Sequence, residues 1–335
     1  MDWFEQLTGF GEQDYAATQA RLRVEDGRLV SDATDRTFGI GRLETPSLAE
    51  LRARAAEVSV PGRLKVEVVR GDARALHNEA RNAGALFQVA SQFNLLEMVD
   101  PGVGPEDGVA RYAWDPTQGP ACAIAAGAAT IYRNYLAPVD GRPGQTRERQ
   151  FDGLAELGAR LSELTGRPVG MLWQMRNGYA LLDDASLDAI AAVLAYLDAP
   201  ERDALRAALR IGLVWDAEVT DAPETPGMTV CQAFCSALPV AYAPVTKALA
   251  APFATLVLEA AYEATLHAAT LNAARGRPVV CLTRLGGGAF GNATRWIDEA
   301  MTRALDQARD RALEVRIVSY AWPDQALLDL ADRYA

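Results

Sequence analysis

Pro278-Val279-Val280-Cys281-Leu282-Thr283-Arg284-Leu285-Gly286-Gly287-Gly288-Ala289-Phe290-Gly291-Asn292 is the stretch on which the reading of this chain turns. Its first half is an apolar run of strand length and reads as a buried strand. Four glycines follow within six residues, and then a helix with Ile297, Met301, Leu305 and Ala308 on one face. Each glycine costs ~0.5–1 kcal/mol of backbone entropy relative to alanine, and a plain strand-to-helix turn needs only one. Such a run belongs where backbone bends tightly or approaches a ligand, and the free amides of a helix N-terminus suit a phosphate. The loop ends in no Gly-Lys-Ser/Thr and contains no Gly-x-Gly-x-x-Gly, so neither standard nucleotide fingerprint is present.

Working outward, short apolar strands alternate with helical segments, the pattern of an α/β sheet. Residues 64–69 alternate as a strand ending at Gly71-Asp72, and 73–82 suit a helix with His77 on an exposed face. Residues 85–93 form an apolar strand-length run, and 100–119 is a long loop rich in Gly, Pro and Asp. Loops of that length inside a domain are often functional. Residues 121–135 read as one small-residue helix. Asn177-Gly178 predicts a type I′ hairpin, followed by helices over 186–197 and 201–210. Strands over 211–220 and 228–236 are joined by a Pro-containing loop; a long helix over 254–274 and a last strand over 313–320 complete the pattern before a terminal helix over 324–334. At the other end, 22–30 predicts a hairpin around Asp26-Gly27, and Ser47-Leu48-Ala49-Glu50 is a capping box opening a helix. Pro61-Gly62 marks the boundary between this N-terminal extension, 1–61, and an α/β domain over 62–335 with an insertion at about 140–210.

The chain has 335 residues, 50% hydrophobic and 23% charged, which excludes a disordered or fibrous protein. Its net charge of −11 disfavours general binding to nucleic acid or an anionic membrane, although backbone amides can hold a small anion at any net charge. There is no run of 18 uncharged apolar residues, so no membrane span is expected. No basic and apolar leader follows Met1, and four cysteines are too few for a disulfide framework, so the expected location is cytoplasmic. Two histidines exclude a His-rich metal site, and Cys231 and Cys235 lack further zinc ligands. No metal or cofactor is expected.

The strand, the loop Gly286-Gly287-Gly288-Ala289-Phe290-Gly291, the helix and the final strand together resemble the second ligand loop of macrodomains, the ADP-ribose-binding family. The strand ending Val69-Arg70-Gly71-Asp72 is similar to the family's opening strand. The resemblance implies that Asp72 holds the adenine amino group. Ala90-Ser91-Gln92-Phe93-Asn94 falls where the family carries its asparagine for the distal ribose, and Tyr320 ends the strand near the adenine. Here Asn94 is followed by Leu95-Leu96-Glu97-Met98 and a long excursion instead of the family's compact glycine run, which leaves the catalytic apparatus open.

Within this frame the residues divide by chemistry. Asn94 can donate to and accept from ribose hydroxyls, or it caps the strand end. Glu97, made basic by burial, is a candidate general base and the first candidate for the carboxylate that steadies the oxocarbenium-like charge, or else a solvated loop charge; Asp107 is the second candidate for that carboxylate, or else forms a turn. Gln118 faces the ribose or a metal, or forms a turn. Arg133 meets a phosphate or complements a helix dipole. Gly286, Gly287, Gly288, Phe290, Gly291 and Asn292 supply the diphosphate cradle. The expectation is a mixed, mostly parallel sheet flanked by helices in three layers that binds ADP-ribose or an ADP-ribosylated substrate and hydrolyses the ADP-ribosyl linkage. The alternatives are a non-catalytic ADP-ribose reader and a different phosphate-ester or nucleotide-processing enzyme. The sequence does not fix an oligomeric state.

Overall fold

In the computed structural model, which describes residues 1–221 and 224–334, seven strands form one sheet. In chain order they are β1 (Arg42–Glu44), β2 (Lys65–Arg70), β3 (Leu86–Ala90), β4 (Gly212–Glu218), β5 (Thr229–Cys235), β6 (Val279–Leu282) and β7 (Glu314–Ser319). Across the sheet the order is β1-β4-β5-β3-β6-β7-β2. The last five of these run parallel, and β4 lies antiparallel to both its neighbours. The sheet is therefore mixed and mostly parallel, with helices on both faces. Of the connection between β4 and β5, expected as a Pro-containing loop, residues 222 and 223 lie outside the described residues.

Strand alternation sorts the apolar side chains of the sheet onto its two faces. On β3, Leu86 joins the larger cluster while Phe87 and Val89 point to the other face. The helices that matter for the site are α1 (Gln118–Ala125), α2 (Gly127–Tyr135) and α3 (Lys247–Ala273). The segment 121–135, expected as one helix, breaks at Ala126, whose φ of −113° and ψ of +57° are not helical. Gly127 follows at the break, where an added Cβ would meet Leu7 and Trp3, so this turn packs directly under the N-terminal helix Trp3–Thr8.

The 27-residue α3 is rich in alanine and lies between the helices Leu48–Ala56, Asp184–Tyr196 and Thr294–Gln307. It is long and apolar enough to cross a membrane by length and composition, and 72% of its apolar window is buried in the core. Glu263, on its buried face, receives Arg52 and Arg303 from two of those neighbours, at 2.5 and 2.6 Å. Desolvation raises its pKa, but the contact with His267 one turn on and the two guanidinium groups together outweigh it and hold the carboxyl well below the ordinary range.

The first 61 residues add the hairpin Leu22–Glu25/Arg28–Ser31, with a third strand Thr34–Gly39, and the capping box at Ser47 and Glu50 forms. They also supply β1 to the main sheet and the helix Leu48–Ala56 to α3. Two expectations are corrected here. His77 is wholly buried rather than exposed, stacked on Phe87 at 3.7 Å between ring centroids, and burial lowers its pKa to about 4. The first strand of the Asn177-Gly178 hairpin, expected over 169–176, is only Gln174–Arg176, preceded by a 3-10 turn at Val169–Met171. All four cysteines are free thiols inside the protein.

Candidate active site

The carboxyl ends of β5, β3 and β6 lie side by side, and the chain leaves the sheet there at Ser236, Ser91 and Thr283. Open α/β sheets place ligands at this edge. A cleft of about 330 Å³ occupies it.

The glycine loop forms one wall. Gly286 has φ +72°, and a Cβ there would meet Ala237 at 2.5 Å, so only glycine fits. The N–H of Gly291 donates to the Gly288 carbonyl and that of Asn292 to the Gly286 carbonyl, both at 3.0 Å, closing the loop on itself. From below, the Tyr262 hydroxyl donates to the Thr283 carbonyl and accepts from the Leu285 N–H. Among the described residues, no acceptor takes the N–H groups of Gly288, Ala289 or Phe290, and all three residues line the cleft.

Opposite stand Trp114, Asp115, Pro116, Thr117 and the first turn of α1. The side-chain amide of Gln118 accepts from the Ala90 N–H and donates to the Gln88 carbonyl, each at 2.8 Å, so it continues the hydrogen bonding of β3 and pins the start of α1. A Cβ at Gly119 would collide with the Ala90 carbonyl and press on Glu97, which explains the glycine at this point.

Glu97 sits between the two walls with its side chain fully buried. Its carboxylate receives the Arg133 guanidinium at 3.0 and 3.2 Å, and its N–H donates to the Tyr112 hydroxyl. Desolvation outweighs these partners and pushes its pKa up to about 7. At neutral pH this carboxyl can therefore give or take a proton. A third wall is aromatic: Tyr179, Tyr242 and Phe290 pack with ring centroids 5.0 to 5.7 Å apart.

The structure brings Glu97, Gln118, Gly286, Gly288 and Phe290 to the same cleft. Other expected residues serve different ends. Asn94 is a buried strut, donating to Gln150 and accepting from the Leu96 N–H, with Gly178 packed against its side chain. Asp107 caps the Gly104 N–H and pairs with Arg147 away from the cleft. Arg133 lies behind Glu97 with its guanidinium 3.8 Å over the Phe234 ring, where no phosphate reaches it. Gly287 turns toward Ile297 and Gly291, at φ +72°, toward Ala241, while Asn292 ties the loop to the Leu238 carbonyl. Asp72 caps the helix Ala73–Asn78, and Tyr320 is exposed beyond β7. Both stand at the carboxyl ends of β2 and β7, on the edge of the sheet that carries the cleft but outside it.

Sequence reading missed Tyr179, Tyr242 and Trp114. For Tyr179 the signal existed: it directly follows the Asn177-Gly178 turn, where register fixes its side. Trp114, 84% exposed on the rim, had only its place before the α1 turn to mark it. Among the described residues no group of three or more His, Cys, Asp or Glu side chains is arranged to hold a metal ion.

No protein-family model and no curated protein matches the chain. Among solved structures it is similar to a poly(ADP-ribose) glycohydrolase from Thermomonospora curvata, at 14% identity and a TM-score of 0.43 over 96% of this chain and 98% of that one. It is also similar to a poly(ADP-ribose) glycohydrolase from Deinococcus radiodurans in complex with ADP-ribose, at 13% identity and a TM-score of 0.42 over 88% and 93%.

Proposed function

We propose that the cleft binds ADP-ribose, or a closely related NAD-derived nucleotide, and hydrolyses an ADP-ribosyl linkage. One observation carries this: Gly288, Ala289 and Phe290, whose backbone N–H groups have no acceptor among the described residues, line the same cleft as Glu97, a buried carboxyl whose pKa desolvation pushes up to about 7. The amides suit a diphosphate. A glycosidic bond needs a carboxyl that exchanges a proton at neutral pH and a negative neighbour for the oxocarbenium-like transition state.

With the diphosphate on the glycine loop, the distal ribose lies toward Ser91 and Glu97. The adenosine half runs along the sheet edge past β7 toward β2, where Tyr320 and Asp72 stand. Water attacks the anomeric carbon, Glu97 takes its proton, and the proton passes to the departing atom as the glycosidic bond breaks. The diphosphate charge steadies the developing cation.

A second reading, a reader without turnover, is favoured by the pairing of both Glu97 oxygens with Arg133, which restrains the carboxylate. Calorimetric titration and a hydrolysis assay separate the two. A side chain at Gly288 meets open space, so Gly288→Glu folds and its charge expels the diphosphate. Wild type is expected to bind ADP-ribose and Gly288→Glu not to. Glu97→Gln is expected to bind but to lose about 10²-fold or more in turnover. Binding without turnover in wild type selects the reader. Failure to bind ADP-ribose while binding another phosphate compound rejects both.

A further inference from the structure

A second depression, about 500 Å³ and more open than the cleft, lies between the segment 167–186 and residues 242–244. Tyr242 lines both hollows. Its ring packs on Tyr179 and Phe290, and its hydroxyl donates to the Val99 carbonyl at 3.2 Å, so it stands fixed as the partition between them. A ligand that fills the cleft and continues over Tyr242 enters this groove.

The two sides of the groove are tied together. Asp184, at the start of the helix Asp184–Tyr196, accepts from both the N–H and the hydroxyl of Thr246, at 2.7 and 2.8 Å. The groove is therefore preformed, which lowers the entropic cost of filling it. Its surface is mostly apolar and neutral, with Met171 67% exposed, Leu181 partly exposed and Pro244 exposed. The cation among its lining residues, Arg167, donates to the Ala185 carbonyl, and Asp183 faces the same hollow. A polyanion finds no row of cations there. An extended polypeptide, with apolar side chains and neutral backbone, does match the surface.

We infer that this groove docks the polypeptide segment to which the ADP-ribosyl group is attached, so that the insertion at about 140–210 reads the acceptor chain while the glycine loop reads the nucleotide. The inference rests on the proposed ADP-ribosyl function.

The test compares binding of free ADP-ribose, a mono-ADP-ribosylated peptide and a poly(ADP-ribose) oligomer to Glu97→Gln, which holds the substrates intact, and to Glu97→Gln/Met171→Glu. Met171 is exposed, so its replacement leaves the fold in place. Expected is a peptide-linked affinity about tenfold tighter than free ADP-ribose, lost in the double variant, with free ADP-ribose affinity unchanged. Pro244→Glu, on the opposite side, is expected to act in the same way. Equal affinity for the peptide and free ADP-ribose overturns the inference and leaves the proposed function standing. An advantage shown by the oligomer rather than the peptide, and removed by Met171→Glu, overturns the polypeptide assignment. No binding of ADP-ribose at all removes the proposed function, and this inference with it.

Discussion

Glu97 shows what burial does to a single side chain. Its carboxyl holds a proton up to about pH 7 in the folded chain, against 4.5 when solvated, because desolvation exceeds the help from Arg133 and Tyr112. Between those values the folded state binds more protons than the unfolded state, so stability falls as pH rises through that window, by on the order of 3 kcal/mol for this group. Denaturant melts at pH 5 and 7.5 are expected to show the fall in wild type. Glu97→Gln, a neutral stand-in for the protonated carboxyl, should leave stability close to wild type at pH 5 and flatten the difference between the two values, because no carboxylate is left to be buried. A slope of unchanged size would assign it to other groups. On the proposed mechanism the hydrolysis profile should bend near the same pH, because there Glu97 is the group that takes the proton from water.

At the scale of elements, the long loop is held by the N-terminal segment. Glu12 accepts from the N–H groups of Val109 and Ala110 and from the Tyr135 hydroxyl, at 2.8 to 2.9 Å, and the Trp3 indole donates to the Ala110 carbonyl. This clasp fixes the 3-10 turn Ala110–Trp114 and hence the rim of the cleft. Glu12→Ala leaves buried donors without acceptors and should cost about 1–3 kcal/mol. Amide exchange across 109–117 should quicken, and affinity for ADP-ribose should fall with it; exchange as slow as in wild type would remove the clasp from the account.

The same scale shows what the sequence could tell. The Asn177-Gly178 turn, with φ +47° and +79°, and the Ser47 capping box were legible because their chemistry lies within four residues. The glycine loop was legible because its cost demands a reason. Asn94 was misread because its partners, Gln150 and Gly178, lie 56 and more residues away. His77 was misread because a six-residue helix carries too little periodicity to say which face is covered. Pairing across distant segments also decided that Glu97 and not Asp107 reaches the cleft.

For the molecule as a whole, the N-terminal 61 residues are bound into the main body. Their strand β1 closes one side of the sheet against Leu213, Val214 and Trp215, and the Trp215 indole donates to Glu44 at 2.6 Å. Deleting them bares that strand edge and the flank of α3. The chain 62–335 is expected to lose cooperative thermal unfolding and near-UV ellipticity, whereas a cooperative melt would show that the remainder folds alone.

The buried thiols turn the protein into its own stopwatch. Burial raises the pKa of Cys122, Cys231, Cys235 and Cys281, for Cys235 to about 11 and for Cys281 to about 12, so the folded chain offers an alkylating reagent neither access nor thiolate. Labelling in native buffer must wait for the structure to open, and its rate counts openings. ADP-ribose at 100 times its dissociation constant, bound only when the cleft is intact, should slow that count about hundredfold. A rate indifferent to the ligand would mean that the thiols are reached by a motion that leaves the cleft whole.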